Sequence, residues 1–368
     1  MENYKYLKVF YNDILVGTLA KTPERVVAFE YDLDWLNNGF SISPFSLPLI
    51  KKVFIPKYEP FDGLFGVFND SLPDGWGRLL VDRLFLKNKI NPVEIDNLNR
   101  LAVVQESGMG ALTYKPEHKF ETENNISDFD ILAQECSKIL ESQNSDNLDE
   151  LFFLGGSSGG ARPKILTSID NEDWIIKFPS SVDPKNIGEK EYQYSQCAKD
   201  CGIKITETKL FPSEICSGYF GIKRFDRKND KKVHMVSVSG LLETSHRLPN
   251  LDYNLLMKLT LEITRNYEDV EQLYRLMCFN VFAHNRDDHS KNFSYLYDDN
   301  RKEWHLSPAY DLTYSSSFNG EHATTINGEG KNPALDDILA VAKNIGLNEK
   351  FSKDIALDIQ EKCKKLFD

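Results

Sequence analysis

The amino-acid sequence predicts an α+β fold, in which a small N-terminal unit precedes a larger unit with a strand-rich half and a helix-rich half. Short β-prone stretches separated by turn residues occupy the first 117 residues and recur between about 150 and 226. After about residue 250, stretches such as NLLMKLTLEITRN and VEQLYRLMCFNVFA show helical periodicity. The length of 368 residues exceeds what one hydrophobic core usually organises, so more than one unit is expected.

Residues 1 to 117 are predicted to form the N-terminal α+β unit. YLKVFYNDILVGTLA predicts two short strands joined by a hairpin turn at Asn12-Asp13, and RVVAFEYD predicts a third strand. In NDSLPDGWGRLLVDRLFLK a turn with proline and glycine opens a helix. GMGALTYKP predicts a last strand, which Pro116 ends.

The rest of the chain is divided into three parts. Residues 118 to 149 are predicted to be a polar linker with one helix, and residues 150 to 226 the strand-rich half, with a glycine-rich loop. Within that half, residues 187 to 201 are predicted to be helical, with Gly202 just past the end as a C-cap. Residues 227 to 368 are predicted to form the helix-rich half.

Composition narrows the function classes. The formal net charge of −12 and the pI of about 5.2 disfavour unaided nucleic-acid binding, although a small nucleotide site depends only on the local field. The six cysteines are scattered, and Cys197 and Cys201 are the only close pair, which favours free thiols over a disulfide scaffold. The sequence shows neither an apolar run of membrane length nor a secretory signal, so we expect a cytoplasmic protein without membrane attachment.

The segment HNRDDHSKN, residues 284 to 292, is dense in polar side chains and follows a stretch predicted to be a buried helix. Asp287 and Asn292 are five residues apart, as in the H-R-D-x-x-x-x-N catalytic loop of protein kinases. In that loop a carboxylate takes the proton of the attacking hydroxyl, and an amide oxygen beside it holds magnesium. The spacing alone is equally compatible with a solvated helix cap and turn.

A later carboxylate strengthens the kinase interpretation. Asp311, in LSPAYDLTYS, lies 19 residues after Asn292 (311 − 292), beyond a predicted strand pair FSYLYDDNRKEWHLS. Kinases carry their second magnesium carboxylate after such a hairpin, and magnesium takes only a few protein oxygens. Taken singly, Asp311 fits a turn cap equally well.

Two features before this loop fit phosphate binding. The glycines of GGSSGGARPK would let backbone N–H groups approach phosphate oxygens, and Gly160 is followed by Ala161-Arg162, which excludes a Walker A loop. Lys177, in DWIIKFP, occupies the place of the kinase strand lysine, with Glu191 preferred over Glu189 as its partner on the following helix. A flexible connection and an edge-strand charge are the structural alternatives. The order of these parts along the chain favours a kinase.

A metal-hydrolase site is the competing interpretation of the same polar segment. His284, His289 and His305 with Asp287 and Asp288 could together form a metal cluster. Helical zinc sites favour histidines four residues apart, whereas His284 and His289 are five apart. The spacing therefore favours the kinase over the hydrolase.

The motifs together resemble the HipA-type serine/threonine kinase toxins of bacteria. NDSLPDGWGRLL is similar to the N-terminal subdomain of that family, and GGSSGGARPK, WIIKFP, IKRFDR, NRDDHSKNFS and SPAYDLTYS are similar to its kinase core. The resemblance covers nearly the whole chain. It implies an N-terminal subdomain at 1–117, a linker helix region at 118–149, a kinase N-lobe at 150–226 and a helical C-lobe at 227–368.

The resemblance also implies a role for individual residues. Asp287 would be the catalytic base, Asn292 and Asp311 would hold Mg²⁺, and Glu191 would pair with the phosphate-binding Lys177. The segment from Lys223 to Phe225 would be the hinge that meets adenine. The residues expected to contact ATP are Gly159, Gly160, Ala161, Arg162, Pro163, Lys164, Lys177, Lys223, Arg224, Phe225, His289, Ser290, Lys291, Asn292, Tyr310 and Asp311.

Autophosphorylation is implied at Ser157, just before the glycine loop, although Ser158 is an open alternative. This chain has Arg162-Pro163 where many family members have Gln-Glu. By resemblance, the chain would be the toxin of a toxin–antitoxin system, restrained by a helix-turn-helix antitoxin that supplies the affinity for DNA. Its target would be a translation component, most plausibly an aminoacyl-tRNA synthetase. A catalytically silent pseudokinase that acts as co-repressor in an antitoxin–DNA complex is the alternative.

Overall fold

The computed structural model describes residues 4–104, 108–118, 128–143, 145, 147–229, 231–317 and 319–367. The chain forms two compact units. The first unit comprises Met1–Glu189, Lys209–Val236 and Gly240–Thr244, and the second comprises Lys190–Thr208, Ser237–Ser239 and Ser245–Asp368. Of the predicted linker, residues 118 to 149, the segment 119 to 127 and residues 144 and 146 lie outside the described residues. In the part of the chain that the structure describes, none of the helices combines the length and apolarity that crossing a membrane requires.

The N-terminal segment folds as a five-stranded antiparallel sheet with short helices. Asn12 and Asp13 both have positive φ, which is the backbone of a type I′ hairpin turn, so the hairpin predicted there is confirmed. The strand order is β4-β3-β2-β1-β5. Its elements are β1 (Tyr6–Tyr11), β2 (Ile14–Lys21), β3 (Val27–Tyr31), α1 (Leu33–Asn38), β4 (Val53–Phe54), α2 (Gly66–Asn69), α3 (Gly75–Lys87), α4 (Asn97–Leu101) and β5 (Leu112–Lys115).

A four-stranded sheet in the order β6-β7-β9-β8 carries the glycine-rich loop. The predicted strands around Lys164 and Lys177 and the predicted helix before Gly202 are confirmed, and LFFLG proves to be helical. The elements are α5 (Phe129–Leu140), α6 (Leu148–Gly155), β6 (Lys164–Ile169), β7 (Glu172–Lys177), α7 (Ile187–Asp200), β8 (Thr208–Phe211), β9 (Tyr219–Lys223), β10 (Arg227–Lys228), β11 (Lys231–Lys232), β12 (Met235–Ser237) and α8 (Val238–Leu241).

One hydrophobic core joins helix α3 of the N-terminal segment to this sheet. Trp76 and Leu80 of α3 are buried in the same cluster as Trp174 and Ile176 of β7. Burial of each of these large side chains stabilises the folded state by about 1.5–3 kcal/mol. The N-terminal segment and the glycine-loop sheet therefore belong to one compact unit.

The second unit is mainly helical, as the periodicity after residue 250 predicts. Helix α10 is buried along nearly its whole length, and Tyr274 donates from its hydroxyl to the carbonyl oxygen of Ser352 at 3.0 Å. The remaining elements are β13 (Leu251–Asp252), α9 (Tyr253–Thr264), α10 (Tyr267–Phe282), β14 (Ser294–Asp298), β15 (Glu303–Leu306), β16 (Thr324–Thr325), α11 (Leu335–Asn344) and α12 (Glu349–Cys363), with short 3-10 helices at Pro92–Glu94, Ser290–Asn292 and Lys364–Leu366.

A buried glutamate in the first unit gives the fold a pH dependence. Burial raises the pKa of Glu243 from 4.5 to about 7, with the nearby Asp70 carboxylate adding to the rise, although the Gly66 N–H donates to the Glu243 carboxylate at 3.0 Å. Because the folded state holds this proton more tightly than the unfolded chain does, the stabilisation is fully present below about pH 4.5 and is lost as pH rises through about 7.

Replacement of Glu243 by Gln should therefore remove part of the pH dependence of stability. The wild-type melting temperature is expected to fall, relative to that of Glu243→Gln, as pH rises from about 5 to about 8. Calorimetry across that range measures the difference. A constant difference at all pH values would contradict the assignment.

Candidate active site

The polar segment predicted to be catalytic begins where helix α10 ends. Ala283 caps the helix, and its carbonyl oxygen accepts from the Tyr194 hydroxyl of α7 at 2.9 Å. His284 follows with φ of +54°, a left-handed conformation that costs free energy in a non-glycine residue and turns the chain out of the helix. The Ser315 N–H donates to the His284 carbonyl oxygen at 3.0 Å, so a later segment of the chain secures this turn.

Asp288 is the buried anchor of the loop. Its side chain is inaccessible and accepts from the Tyr253 hydroxyl at 3.0 Å, and its other oxygen accepts from the Thr324 N–H at 3.2 Å. The His322 Nδ1 lies 3.0 Å from the same carboxylate, and Asn280 donates to the Tyr253 hydroxyl at 3.0 Å. A buried carboxylate needs such partners, and these contacts tie the loop to α9, α10 and β16.

Asp287, by contrast, points into solvent. Its side chain is 63% exposed, with the His289 Nε2 3.9 Å from Oδ1. The Asn292 side-chain amide donates to the Asp287 backbone carbonyl oxygen at 2.7 Å, which closes the loop from Asp287 to Asn292. The loop geometry thus leaves the Asp287 carboxylate accessible. The side-chain N–H of Asn292 is occupied by the hydrogen bond within the loop, whereas the Asn292 Oδ1 is an oxygen ligand of the kind that magnesium prefers.

Tyr310 connects Asp311 to the same loop. Its hydroxyl donates to the Lys291 carbonyl oxygen at 2.6 Å and is 2.6 Å from the Ser294 Oγ. Asp311 follows Tyr310 directly in the chain and has a φ of +54°. The hydrogen bond of Tyr310 therefore keeps the backbone of Asp311 close to this loop.

Four buried polar atoms of the segment 284–292 lack a hydrogen-bond partner among the described residues. They are the Asn285 Oδ1, the Arg286 Nε, the His289 Nδ1 and the Ser290 Oγ. Because an unsatisfied buried polar group costs about 1–3 kcal/mol, such atoms indicate a ligand or ordered water. His289 and Ser290 belong to the predicted nucleotide contacts.

In the first unit, the glycine-rich loop lies against the start of helix α3. The Asp74 carboxylate accepts from the Gly160 N–H, and the Trp76 N–H donates to the Gly160 carbonyl oxygen at 2.8 Å. A Cβ on Gly75 or Gly77 would lie well inside 3.0 Å of carbonyl oxygens of the loop. Only glycines at these two positions allow the close approach, so the DGWG segment of the N-terminal part supports the loop.

Two buried lysines flank the loop. Lys164 and Lys177 are direct partners across β6 and β7, and both are less than 10% exposed. The Lys164 Nζ donates to the Gly159 carbonyl oxygen at 2.6 Å, and the Lys177 Nζ is 5.5 Å from the centre of the Phe220 ring. Two buried lysines directly opposite one another concentrate positive charge beside the glycine-rich loop.

The other loop residues have separate tasks. Arg162 pairs with Asp183, whose carboxylate also accepts from the Ser180 hydroxyl at 2.6 Å. The Pro163 carbonyl oxygen accepts from the Phe178 N–H at 2.9 Å. Ala161 is exposed at the tip of the loop. The Arg162-Pro163 pair thus fastens the end of the loop to the chain after β7.

The two candidate serines differ in accessibility. Ser158 is 2% exposed, and its hydroxyl donates to the Gly155 carbonyl oxygen at 2.6 Å. Ser157 is only partly buried. Of the two hydroxyls, that of Ser157 is the more accessible to a phosphoryl donor.

The predicted hinge follows strand β9. Lys223 pairs with Glu172, whereas Arg224 is 5% exposed and pairs with the buried Asp226 at 2.8 Å. Burial would raise the pKa of Asp226, but the guanidinium groups of Arg224 and Arg227 hold that pKa below its ordinary value. The Arg224 N–H donates to the Asp173 carbonyl oxygen at 2.8 Å. The side chain of Arg224 is therefore part of a buried ion-pair cluster, and Phe225 beside it is partly buried.

Glu191, the preferred partner of Lys177, lies on α7 and is 2% exposed, whereas Glu189 is more accessible. A carboxylate this buried requires a compensating charge or hydrogen bond, which keeps the preference for Glu191. The pairing with Lys177 stays a prediction.

The residues of the metal-hydrolase alternative do not form a metal-binding group within the described part of the chain. The His284 ring packs on the Phe367 ring at 5.1 Å, and His305 lies beside Asp269 and Glu303. Asp288, the fifth member, is committed to anchoring the loop. His284, His305 and Asp288 thus have separate surroundings, whereas His289 and Asp287 lie 3.9 Å apart.

Comparison with known proteins decides the family. A family model of the HipA-like C-terminal domain matches residues 156–367, more than half of the chain. The chain belongs to the HipA family. A model of the HipA N-terminal domain also matches, at residues 7–115. The resemblance seen in the motifs is thereby confirmed, and the matched ranges contain DGWG, the glycine-rich loop and the polar segment 284–292.

Two curated relatives match this HipA-family chain. "Putative kinase Y4dM" of Sinorhizobium fredii is 28% identical over 214 residues, which are 53% of this chain and 51% of the relative. A "Putative kinase" of Haemophilus influenzae is 26% identical over 254 residues, 57% of this chain and 74% of the relative. The match thus spans about half the length of the first relative.

A solved structure confirms the fold. HipA of Shewanella oneidensis MR-1, from a complex with HipB and its operator DNA, matches with a TM-score of 0.72 at 18% identity. The match covers 98% of this chain and 89% of that one. At this identity the likeness concerns the fold, and it confirms the predicted α+β fold with its strand-rich and helix-rich halves.

Proposed function

We propose that this HipA-family chain is an ATP- and Mg²⁺-dependent protein serine/threonine kinase. One observation carries the proposal: of two adjacent carboxylates, Asp288 is buried and fully used, whereas Asp287 is held accessible by a loop that Asn292 closes. A structural turn needs one anchor but has no need of the second, exposed carboxylate at kinase spacing. The kinase names of the two curated relatives agree with this function.

Each group has a task in phosphoryl transfer. Asp287 would accept the proton of the substrate hydroxyl while the hydroxyl oxygen attacks the γ-phosphorus. Asn292 and Asp311 supply the amide and carboxylate oxygens that suit Mg²⁺, which neutralises charge on the phosphates when bound. Lys177, Lys164 and the glycine-loop N–H groups of the first unit would take the phosphates, and the segment from Lys223 to Phe225 would meet adenine. Catalysis would be mostly positioning and charge stabilisation.

The proposal includes a toxin–antitoxin setting. The Shewanella relative is a HipA in a complex with HipB and operator DNA. We propose a corresponding helix-turn-helix antitoxin as the partner of this chain. The chain would contact DNA only through the antitoxin, because the net charge of −12 on the chain opposes direct binding to DNA. The target would be a translation component such as an aminoacyl-tRNA synthetase, in a cytoplasmic setting.

Autophosphorylation at Ser157 tests the proposal. The full-length chain incubated with γ-labelled ATP and Mg²⁺ is expected to become labelled at Ser157, because Ser158 is buried and its hydroxyl is engaged. Ser157→Ala should abolish the label, and Ser158→Ala, the matched control, should retain it. A phosphate at Ser157 would bring about −1.5 to −2 charge to the loop and oppose ATP binding, so the modified form should be less active.

The pseudokinase alternative makes the opposite prediction. A folded chain that labels neither itself nor any protein of a cell extract, yet binds its antitoxin, would establish a scaffold and refute the kinase. Label found at Ser158 instead would support the kinase proposal and would show that Ser158, not Ser157, is the phosphate acceptor. Phosphoproteomics after brief induction would identify the target.

A further inference from the structure

Three cysteine thiols meet inside the second unit, apart from the loop residues described above. Cys197 lies on α7, Cys201 directly follows the last residue of that helix, and Cys363 is the last residue of α12. Their Sγ atoms all lie within 4.8 Å of one another. Cys201 and Cys363 are each 1% exposed, and Cys197 is 9% exposed. In the described ranges this is the one group of three or more histidine, cysteine or carboxylate ligands so closely placed.

The fold holds these thiols in place from both sides. The Cys201 N–H donates to the Cys197 carbonyl oxygen at 3.0 Å, so the helical turn extends to Cys201 and the spacing of four residues puts both side chains on one face. At the end of α12, the Lys362 Nζ donates to the Asp200 carbonyl oxygen at 2.8 Å, and the Cys197 Sγ donates to the Lys362 carbonyl oxygen at 3.6 Å. The ends of the two helices are thus joined beside the sulfurs, and little reorganisation is needed to bring the three together.

We propose that Cys197, Cys201 and Cys363 form a binding site for a thiophilic metal ion such as Zn²⁺. Zinc–sulfur bonds of about 2.3 Å in tetrahedral geometry place sulfurs about 3.8 Å apart, so the thiols must close by about 1 Å at most. Thiolates select soft ions over Mg²⁺, which separates this site from the magnesium ligands proposed above. Binding forms three S–Zn bonds and releases the thiol protons to solvent.

The charge and solvent access of the cluster fit this use. Three thiolates with Zn²⁺ carry one net negative charge, and the positive charges of Lys362 and Lys365 act on the cluster. Cys197 is the least buried of the three, at 9% exposed, so a fourth ligand, a water or an external thiol, would enter from its side.

Both elements that supply the thiols also contact the start of the catalytic loop. Tyr194, one turn before Cys197 on α7, donates to the Ala283 carbonyl oxygen at 2.9 Å. Phe367, four residues after Cys363, packs its ring on that of His284 at 5.1 Å. Metal bound at the thiols would fix the two supports of this loop. This consequence for activity rests on the proposed kinase function, whereas the metal site does not.

Metal content of the full chain tests the site directly. The protein, purified without chelator and with its affinity tag removed, is expected to bind one Zn²⁺ per chain from a zinc buffer. Cobalt in place of zinc should give the thiolate-to-metal charge-transfer absorption of a three-sulfur site. Bound metal should raise the melting temperature, since it binds only the folded state. Wild-type protein that takes up no zinc or cobalt at micromolar concentrations would overturn the proposal.

Variants locate the ion. Cys197→Ser, at the least buried of the three positions, should weaken zinc affinity by more than the about 10- to 100-fold typical for loss of an outer-shell partner. Cys363→Ser should do the same, while the buried Cys278→Ser and the partly buried Cys216→Ser should bind as the wild type does. Binding unchanged in both cluster variants, or a disulfide between these cysteines that forms in air and excludes metal, would refute the site. Because metal uptake is read without phosphoryl transfer, failure of the kinase proposal leaves this result intact.

Discussion

Replacement of Asp287 by asparagine is expected to lower the rate of phosphoryl transfer by about 10²- to 10⁴-fold, the usual contribution of a general base. The asparagine side chain keeps the shape of the aspartate but cannot take the proton of the substrate hydroxyl. Since the Asp287 side chain is 63% exposed and the loop contact of Asn292 is made to its backbone carbonyl, folding should not depend on the carboxylate. Single-turnover rates and the melting temperature measure the two effects.

The neighbouring carboxylate supplies the matched control. Asp288→Ala removes the partner of Tyr253, His322 and the Thr324 N–H in the interior, and breaking a buried charged pair costs about 3–5 kcal/mol. We therefore expect a large loss of stability in Asp288→Ala and almost none in Asp287→Asn. Equal loss of stability in both variants, or full activity in Asp287→Asn, would refute the division of roles between these carboxylates.

The loop from Asp287 to Asn292 was predictable because its information is local. Asp287, Asn292 and the following hairpin lie in consecutive sequence, and the Asn292 side chain contacts the Asp287 backbone. The role of Asp288 is different, because its partners His322 and Thr324 lie 34 and 36 residues further on. The spacing to Asn292 selects Asp287 for the proposed role, but it does not show that Asp288 anchors the loop. That role is visible only in the burial of Asp288, and burial depends on distant packing.

In the first unit, a contact between two motifs that lie far apart in the sequence was likewise not predictable. Both DGWG and the glycine-rich loop stand out in the sequence, but Asp74 and Gly160 are 86 residues apart and belong to segments predicted as separate units. That the two motifs touch follows from the shared core of α3 and the glycine-loop sheet. Similarly, the sequence left both Ser157 and Ser158 open as phosphate acceptors. The structure distinguishes them, because the Ser158 hydroxyl donates to the Gly155 carbonyl oxygen.

The contact between these motifs leads to the second large expected effect, that of Gly77→Ala. Gly77 lies inside helix α3, where exchange of glycine for alanine ordinarily stabilises a helix by about 1 kcal/mol. Here the new Cβ would overlap the Ser158 carbonyl oxygen and the Pro73 side chain, and overpacking of this kind costs about 1–3 kcal/mol. The sign of the change in unfolding free energy therefore distinguishes a close helix–loop contact from an ordinary helical glycine.

The same substitution should reach the proposed nucleotide site. Relief of the overlap requires either α3 or the backbone at Ser158 to move, and the loop N–H groups move with that backbone. A loss of about 1.4 kcal/mol of binding free energy at the phosphates raises the Kd about tenfold. We therefore expect Gly77→Ala to bind ATP at least about tenfold more weakly than the wild type. Leu86→Ala, an exposed position of the same helix, should change stability by no more than about 0.5 kcal/mol and leave binding unaltered. If denaturant titration shows Gly77→Ala to be more stable than the wild type, with unchanged ATP affinity by calorimetry, the N-terminal segment does not support the loop.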